Sequence, residues 1–222
     1  MFRDKIDYLE KKQFTLFKID NFLTGDLYNS LEKTFPRIDE ITHNKMDIYK
    51  NKKYAFDTTS KIHKDFIKNN TSFQDFEKII HSKKFFNFFF KKFYIDFLKS
   101  RIKKPAHLVK LLKFPKVVKS LDKNGFFYII NPFNKIKVEV QYSYILNGGK
   151  IVPHTDSGEK LLSLMLYFPS KSEDANKQKE LGTSFWNSNF SNFDNYHQYD
   201  EKKIKGKKLL HKTDFFPNVL YG

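Results

Sequence analysis

The alternation of apolar and polar side chains is clearest between Lys137 and Leu146. There Val138, Val140, Tyr142, Tyr144 and Leu146 share one side of an extended chain, and Lys137, Glu139, Gln141 and Ser143 share the other. This predicts a β-strand with one buried face. Asn147, Gly148 and Gly149 predict a turn after it, and the continuous apolar run Leu161–Phe168, closed by Pro169, predicts a buried strand. Beyond the polar loop Ser170–Glu180, extended character returns at Gly182–Trp186 and again at Phe215–Tyr221.

The period changes before about residue 105. Phe14–Ile19 predicts a short strand. Asp20–Thr24 then supplies helix-start chemistry ahead of Leu27, Tyr28, Leu31 and Phe35, with Pro36 closing the helix. Thr71 and Ser72, with Asp75 three residues after Ser72, predict the start of a second helix whose buried face carries Phe73, Phe76 and Ile80. The aromatic run after it suits core packing. The expected fold is therefore mainly β with N-terminal helices (α+β), as one structural domain. In it the strand and helices of residues 1–105 pack on a β core formed by residues 106–222.

Composition narrows the chemistry. A chain of 222 residues suits one core, and 26 Phe with 12 Tyr make that core aromatic. With no cysteine, thiolate zinc sites, iron–sulfur clusters and disulfides are excluded, so any metal must use His, Asp or Glu. Phe85–Leu98 is interrupted by Asn87, Lys91, Lys92 and Asp96, which argues against a membrane span. Met1–Gln13 has no apolar signal core, so a cytoplasmic protein is expected. The net charge of +16 is spread as lysine pairs through every segment, so a dedicated nucleic-acid face is not expected.

His154 and Asp156 carry the candidate chemistry. Residues two apart on an extended segment point to the same side, so an imidazole and a carboxylate can converge on one ion. They would make two thirds of a two-His, one-carboxylate triad, which leaves open positions for a bidentate 2-oxo acid and O2 on Fe(II). His63 and Asp65 share the spacing, but their lysine-rich surroundings predict a solvated surface histidine.

The segment from Gln141 to Pro169, with its tyrosine strand, glycine turn, His-x-Asp and buried strand, resembles the first metal-binding segment of Fe(II)/2-oxoglutarate-dependent oxygenases, in particular the prolyl 4-hydroxylase-like branch. Gly182–Trp186 and Gln13–Pro36 are similar to further parts of that family. The resemblance implies a double-stranded β-helix of the jelly-roll or cupin-like kind, with Fe(II) and 2-oxoglutarate as cofactors and ascorbate as an accessory. It makes His154 and Asp156 iron ligands. Tyr144 would face the iron and 2-oxoglutarate, with Tyr142 as its alternative, and Tyr167 would meet the distal carboxylate of 2-oxoglutarate.

The family also needs a second histidine on a later strand, followed by Arg or Lys for that carboxylate. Phe215–Leu220 resembles the strand before this histidine. An apolar strand left at an unpaired edge makes a C-terminal truncation the expectation, with the last strands missing and the third ligand beyond Gly222. His211 and then His197 are the in-chain alternatives. The implied activity is hydroxylation of a protein side chain or small metabolite with release of succinate and CO2. A non-catalytic jelly-roll binding protein and a nucleic-acid demethylase are the alternatives.

Overall fold

The computed structural model describes residues 2–11, 14–36, 52–102, 137–146, 148–156, 160–169, 178, 180–186, 197–198 and 208–222. They fall into two compact units, residues 1–80 with 140–222 and residues 81–139. The fold is mixed α+β, with antiparallel sheets that do not close into a barrel among the described residues. No helix among them is long and apolar enough to cross a membrane.

In the first unit, β1 (Asp7–Glu10), β2 (Leu16–Asp20), β10 (Val219–Tyr221) and β6 (Met165–Leu166) form a sheet in the order β1-β2-β10-β6. Strands from near both ends of the sequence are thereby in one sheet. Leu220 pairs with Ile19 on one side and with Leu166 on the other. Because β10 has partners on both sides, the unpaired-edge premise for truncation does not hold. Leu16, Phe17, Ile19, Val219, Leu220 and Tyr221 are all buried. Asn218 closes this region: its side chain accepts from Leu23 N at 2.8 Å and donates to Leu23 O at 2.9 Å.

Helix α1 (Gly25–Lys33) buries Tyr28 and Leu31, as its spacing predicts, and buried Pro36 follows it. Helix α2 (Lys61–Lys68) is capped by Ser60, whose hydroxyl accepts from His63 N at 3.1 Å. Helix α3 (Thr71–Ile80) buries Phe73, Phe76 and Ile80. Its cap is Asn70 rather than Thr71 or Ser72: the Asn70 side-chain Oδ1 accepts from Phe73 N at 3.3 Å, while Ser72 Oγ meets Ser30 Oγ.

The alternating segment at 137–146 becomes β4 (Gln141–Ile145), which pairs with β3 (Lys53–Asp57). Tyr54 faces Tyr144 and Phe56 faces Tyr142 in register. Tyr54, Phe56 and Tyr142 are buried, so the predicted inner face is correct in phase. The run Leu161–Phe168 departs from expectation. Only Met165–Leu166 is a strand, and Leu161, Leu162 and Leu164–Phe168 are half-buried with Ser163 exposed, because pairing with β10 extends over just those two residues.

In the second unit, α4 (Lys83–Ile102) buries Phe85, Phe89, Phe93 and Phe97, a spacing of four that lines one helix face. Lys91, Lys92 and Asp96 are exposed. Phe86 and Phe90 stack on each other at 5.3 Å.

Candidate metal centre

The glycine turn leads to β5 (His154–Thr155), whose ladder partner is β8 (His197–Gln198). His154 Nδ1 lies 2.9 Å from the carbonyl of Val152. A carbonyl can only accept, so Nδ1 carries the proton, and in the neutral ring Nε2 presents its lone pair. That nitrogen sits 4.0 Å from Asp156 Oδ1. The two side chains therefore converge as their spacing predicts. Fixing a ligand histidine through its other nitrogen is the usual way such a ring is oriented.

Asp156 is already well supplied with donors. Lys160 Nζ donates to Oδ1 at 2.7 Å and Ser163 Oγ donates to Oδ2 at 2.6 Å. Burial pushes the carboxyl up, but the hydrogen bonds from Lys160 and Ser163 and the positive charge beside it outweigh this. The net result lies below the usual carboxylate range. Lys53, at the start of β3, is a second lysine whose electrostatics involve Asp156. Its Nζ donates to Gln141 Oε1 at 3.2 Å. Burial, and then the nearby Lys160 ammonium, hold the Lys53 amine below its ordinary value, with Asp156 opposing.

The other expected site residues are distributed as follows. Tyr144 is half-buried beside the Phe35 ring at 5.1 Å. Tyr142 points into the core, where its hydroxyl donates to Glu77 Oε1 at 3.2 Å, so it is a packing residue rather than a substitute for Tyr144. Tyr167 sits between the rings of Phe215 and Tyr221, at 4.7 and 5.7 Å. Its hydroxyl meets Thr183 Oγ1 at 2.7 Å and Thr213 Oγ1 at 3.4 Å. His211 lies on β9 (Leu209–Lys212), opposite Phe185 of β7 (Ser184–Trp186). His197 is opposite Thr155, so the ladder brings the backbone of His197, not that of His211, beside the motif. Among the described residues, no group of three His, Cys, Asp or Glu side chains could hold a metal ion.

His63 is a correction. It is 5% exposed rather than solvated, with Nε2 2.6 Å from Glu77 Oε1 and its ring stacked on Tyr142 at 5.8 Å. The signal was available: Phe66 and Ile67 follow His63 by three and four residues, which puts His63 on the apolar face of α2. Lys160 and Ser163 lie close to Asp156 in sequence but in a stretch without a period. Lys53 is about a hundred residues away and has no local signal at all.

No family model matches this chain, and neither a curated protein nor a solved structure matches it.

Proposed function

We propose that this chain is an Fe(II)- and 2-oxoglutarate-dependent oxygenase that hydroxylates a protein side chain or small metabolite, releasing succinate and CO2. The observation that carries this reading is the approach of His154 Nε2 to within 4.0 Å of Asp156 Oδ1, with the ring held through Nδ1 by Val152 O. Nitrogen and oxygen donors bind such ions at roughly 2.1 Å, so both can reach one ion after a small side-chain turn that frees Oδ1 from Lys160. The donor types suit Fe(II).

In this proposal His154 and Asp156 hold the iron, and Ser163 keeps the carboxylate oriented through Oδ2. Tyr144 and Tyr167 are assigned to 2-oxoglutarate, Tyr167 with its hydroxyl steadied by Thr183. Bound iron, with 2-oxoglutarate and O2, would supply the oxidising chemistry; the side chains bind, orient and exclude water. The third donor is assigned to a residue outside the described set, with His211 as the in-chain alternative. The antiparallel ladders are taken as parts of a double-stranded β-helix.

The test is a titration of Mn(II) into the wild type, His154→Ala and Asp156→Ala, followed by an assay for Fe(II)-dependent succinate formation from 2-oxoglutarate. Each substitution is expected to weaken Mn(II) by more than about tenfold. Equal affinity in all three proteins removes the metal reading. A non-catalytic binding domain of the same fold is the second reading, favoured by the two-donor set among the described residues. It predicts no succinate under any condition. Demethylation of nucleic acid rests on the +16 charge alone and predicts salt-dependent binding to single-stranded DNA.

A further inference from the structure

Three segments bring hydroxyls against the thioether of Met165. The residue sits on β6, held to Tyr221 of β10 in the ladder, and Tyr167 follows two positions later, on the same side of the chain. Thr183 is fixed from another direction, because Thr213 N donates to Thr183 O at 2.9 Å. Tyr167 Oη donates to Met165 Sδ at 3.6 Å, Thr183 Oγ1 donates to the same sulfur at 3.4 Å, and the two hydroxyls meet each other at 2.7 Å. The pair has two hydroxyl protons and uses one between its own oxygens. If Tyr167 donates there, the Thr183 proton is left for sulfur. If Thr183 donates, the Tyr167 proton is left for sulfur or for Thr213 Oγ1 at 3.4 Å. Sulfur therefore accepts one hydrogen bond at a time and keeps its second lone pair. Met165 is only half-buried, so that lone pair is not sealed in the core.

We propose that Met165 is a modification site, oxidised to the sulfoxide by a peroxide with the Tyr167 and Thr183 hydroxyls as its proton relay. A sulfur lone pair attacks one peroxide oxygen, and the S–O bond forms as the O–O bond breaks. Sulfur loses two electrons and the peroxide gains them. The proton on the transferred oxygen passes to one hydroxyl while the other gives its own to the departing oxygen. Methionine and hydrogen peroxide thus yield methionine sulfoxide and water, with no net change in protons. The sulfoxide oxygen is a stronger acceptor than the thioether and forms within reach of the same two hydroxyls, which hold the product in place. Drawing the Tyr167 hydroxyl away from Thr183 would carry the change to the site assigned to 2-oxoglutarate. That consequence rests on the oxygenase reading; the oxidation itself does not.

Hydrogen peroxide is the probe, added with a metal chelator. Oxidation is followed by peptide mass spectrometry, which separates Met165 from Met1 and Met46. The reference is a capped Leu-Met-Leu peptide with the sequence of residues 164–166, in which no hydroxyl is held against sulfur. Met165 in the folded protein is expected to react at least as fast as this peptide despite its partial burial. Thr183→Val should slow it roughly tenfold by breaking the relay, less than a full general acid–base contribution because a hydroxyl is a weak acid. Thr183→Ser, which keeps the hydroxyl, should stay close to the wild type. A folded Thr183→Val protein oxidised as fast as the wild type overturns the relay, and a wild type slower than the peptide overturns the site. If Thr183→Val does not fold, Tyr167→Phe carries the same expected slowing and the same refutation. His154→Ala should oxidise at the wild-type rate. Oxidation that needs Fe(II), 2-oxoglutarate and His154 and does not occur with peroxide alone would overturn the peroxide assignment while supporting the oxygenase reading. Peroxide oxidation of Met165 without His154-dependent Mn(II) binding would keep the modification site and remove the oxygenase reading.

Discussion

His63 shows how one residue can carry the opposite meaning from its neighbourhood. Lysines surround it in sequence, yet its position on α2 turns it toward Glu77 and Tyr142, inside a wall of rings that includes Phe56 at 6.3 Å. Burial, the Glu77 charge and the hydrogen bond to Glu77 all raise the Tyr142 phenol, so the hydroxyl keeps its proton and donates it to Glu77. Glu77→Ala leaves a buried imidazole and phenol without their shared acceptor and should cost about 3 kcal/mol in chemical denaturation. His63→Phe combined with Glu77→Leu should cost clearly less than the sum of the single changes. Additive losses would mean the pair is not coupled. Asp57 gives a prediction in pH. Hydrogen bonds from the Thr59 hydroxyl and backbone hold its carboxyl below the usual range. A depressed folded value stabilises the protein above the unfolded value, near pH 4, and that contribution is lost as pH falls through the folded value. The stability difference between wild type and Asp57→Asn should therefore be steady near neutrality and shrink in acid. A difference that does not change with pH would refute this.

At the scale of elements, close backbone approach decides what alternation does not. A Cβ on Gly182 would lie 1.5 Å from the carbonyl oxygen of Thr213, a clash with backbone that no rotamer relieves. Thr213 N donates to Thr183 O at 2.9 Å, and Thr183 N donates to Thr213 Oγ1 at 2.9 Å, so the same contact positions the hydroxyls around Tyr167. Gly182→Ala should lower the melting temperature markedly and loosen the β7–β9 ladder in hydrogen exchange; a melting temperature equal to wild type would contradict that geometry. Asn218→Ala should cost about 2 kcal/mol, because Leu23 N and O lose their side-chain partners in a buried setting. Asn218→Asp should recover only the bond from Leu23 N. The central position of β10 was not legible in Phe215–Tyr221, because pairing on both sides involves residues some 200 and 50 positions away in sequence.

For the whole molecule, a net charge of +16 on 222 residues opposes compaction through self-repulsion. Screening that repulsion should raise the thermal midpoint between low and moderate salt, within the range where the screening length falls to about 10 Å. A midpoint that falls over the same range would show that specific ion pairs, such as Lys18–Asp20 at 2.8 Å, outweigh the general repulsion. The division into residues 1–80 with 140–222 and residues 81–139 differs from a break near residue 105, which is outside the described residues. Composition changes along the chain mark where the period changes, whereas units are set by which segments pair across long separations.

Local periodicity determined the buried sides of β4, α1 and α3, because burial on those elements follows a repeat of two or of three to four residues. It also determined that His154 and Asp156 point the same way, since two residues along an extended chain share a side. Tertiary structure decided the rest: that β10 has neighbours on both sides, that His63 is buried, that Asp156 is held by Lys160 and Ser163, and that Lys53 is within their electrostatic reach. These depend on register and on charges brought together from distant parts of the chain, and no repeat in a single sequence encodes either.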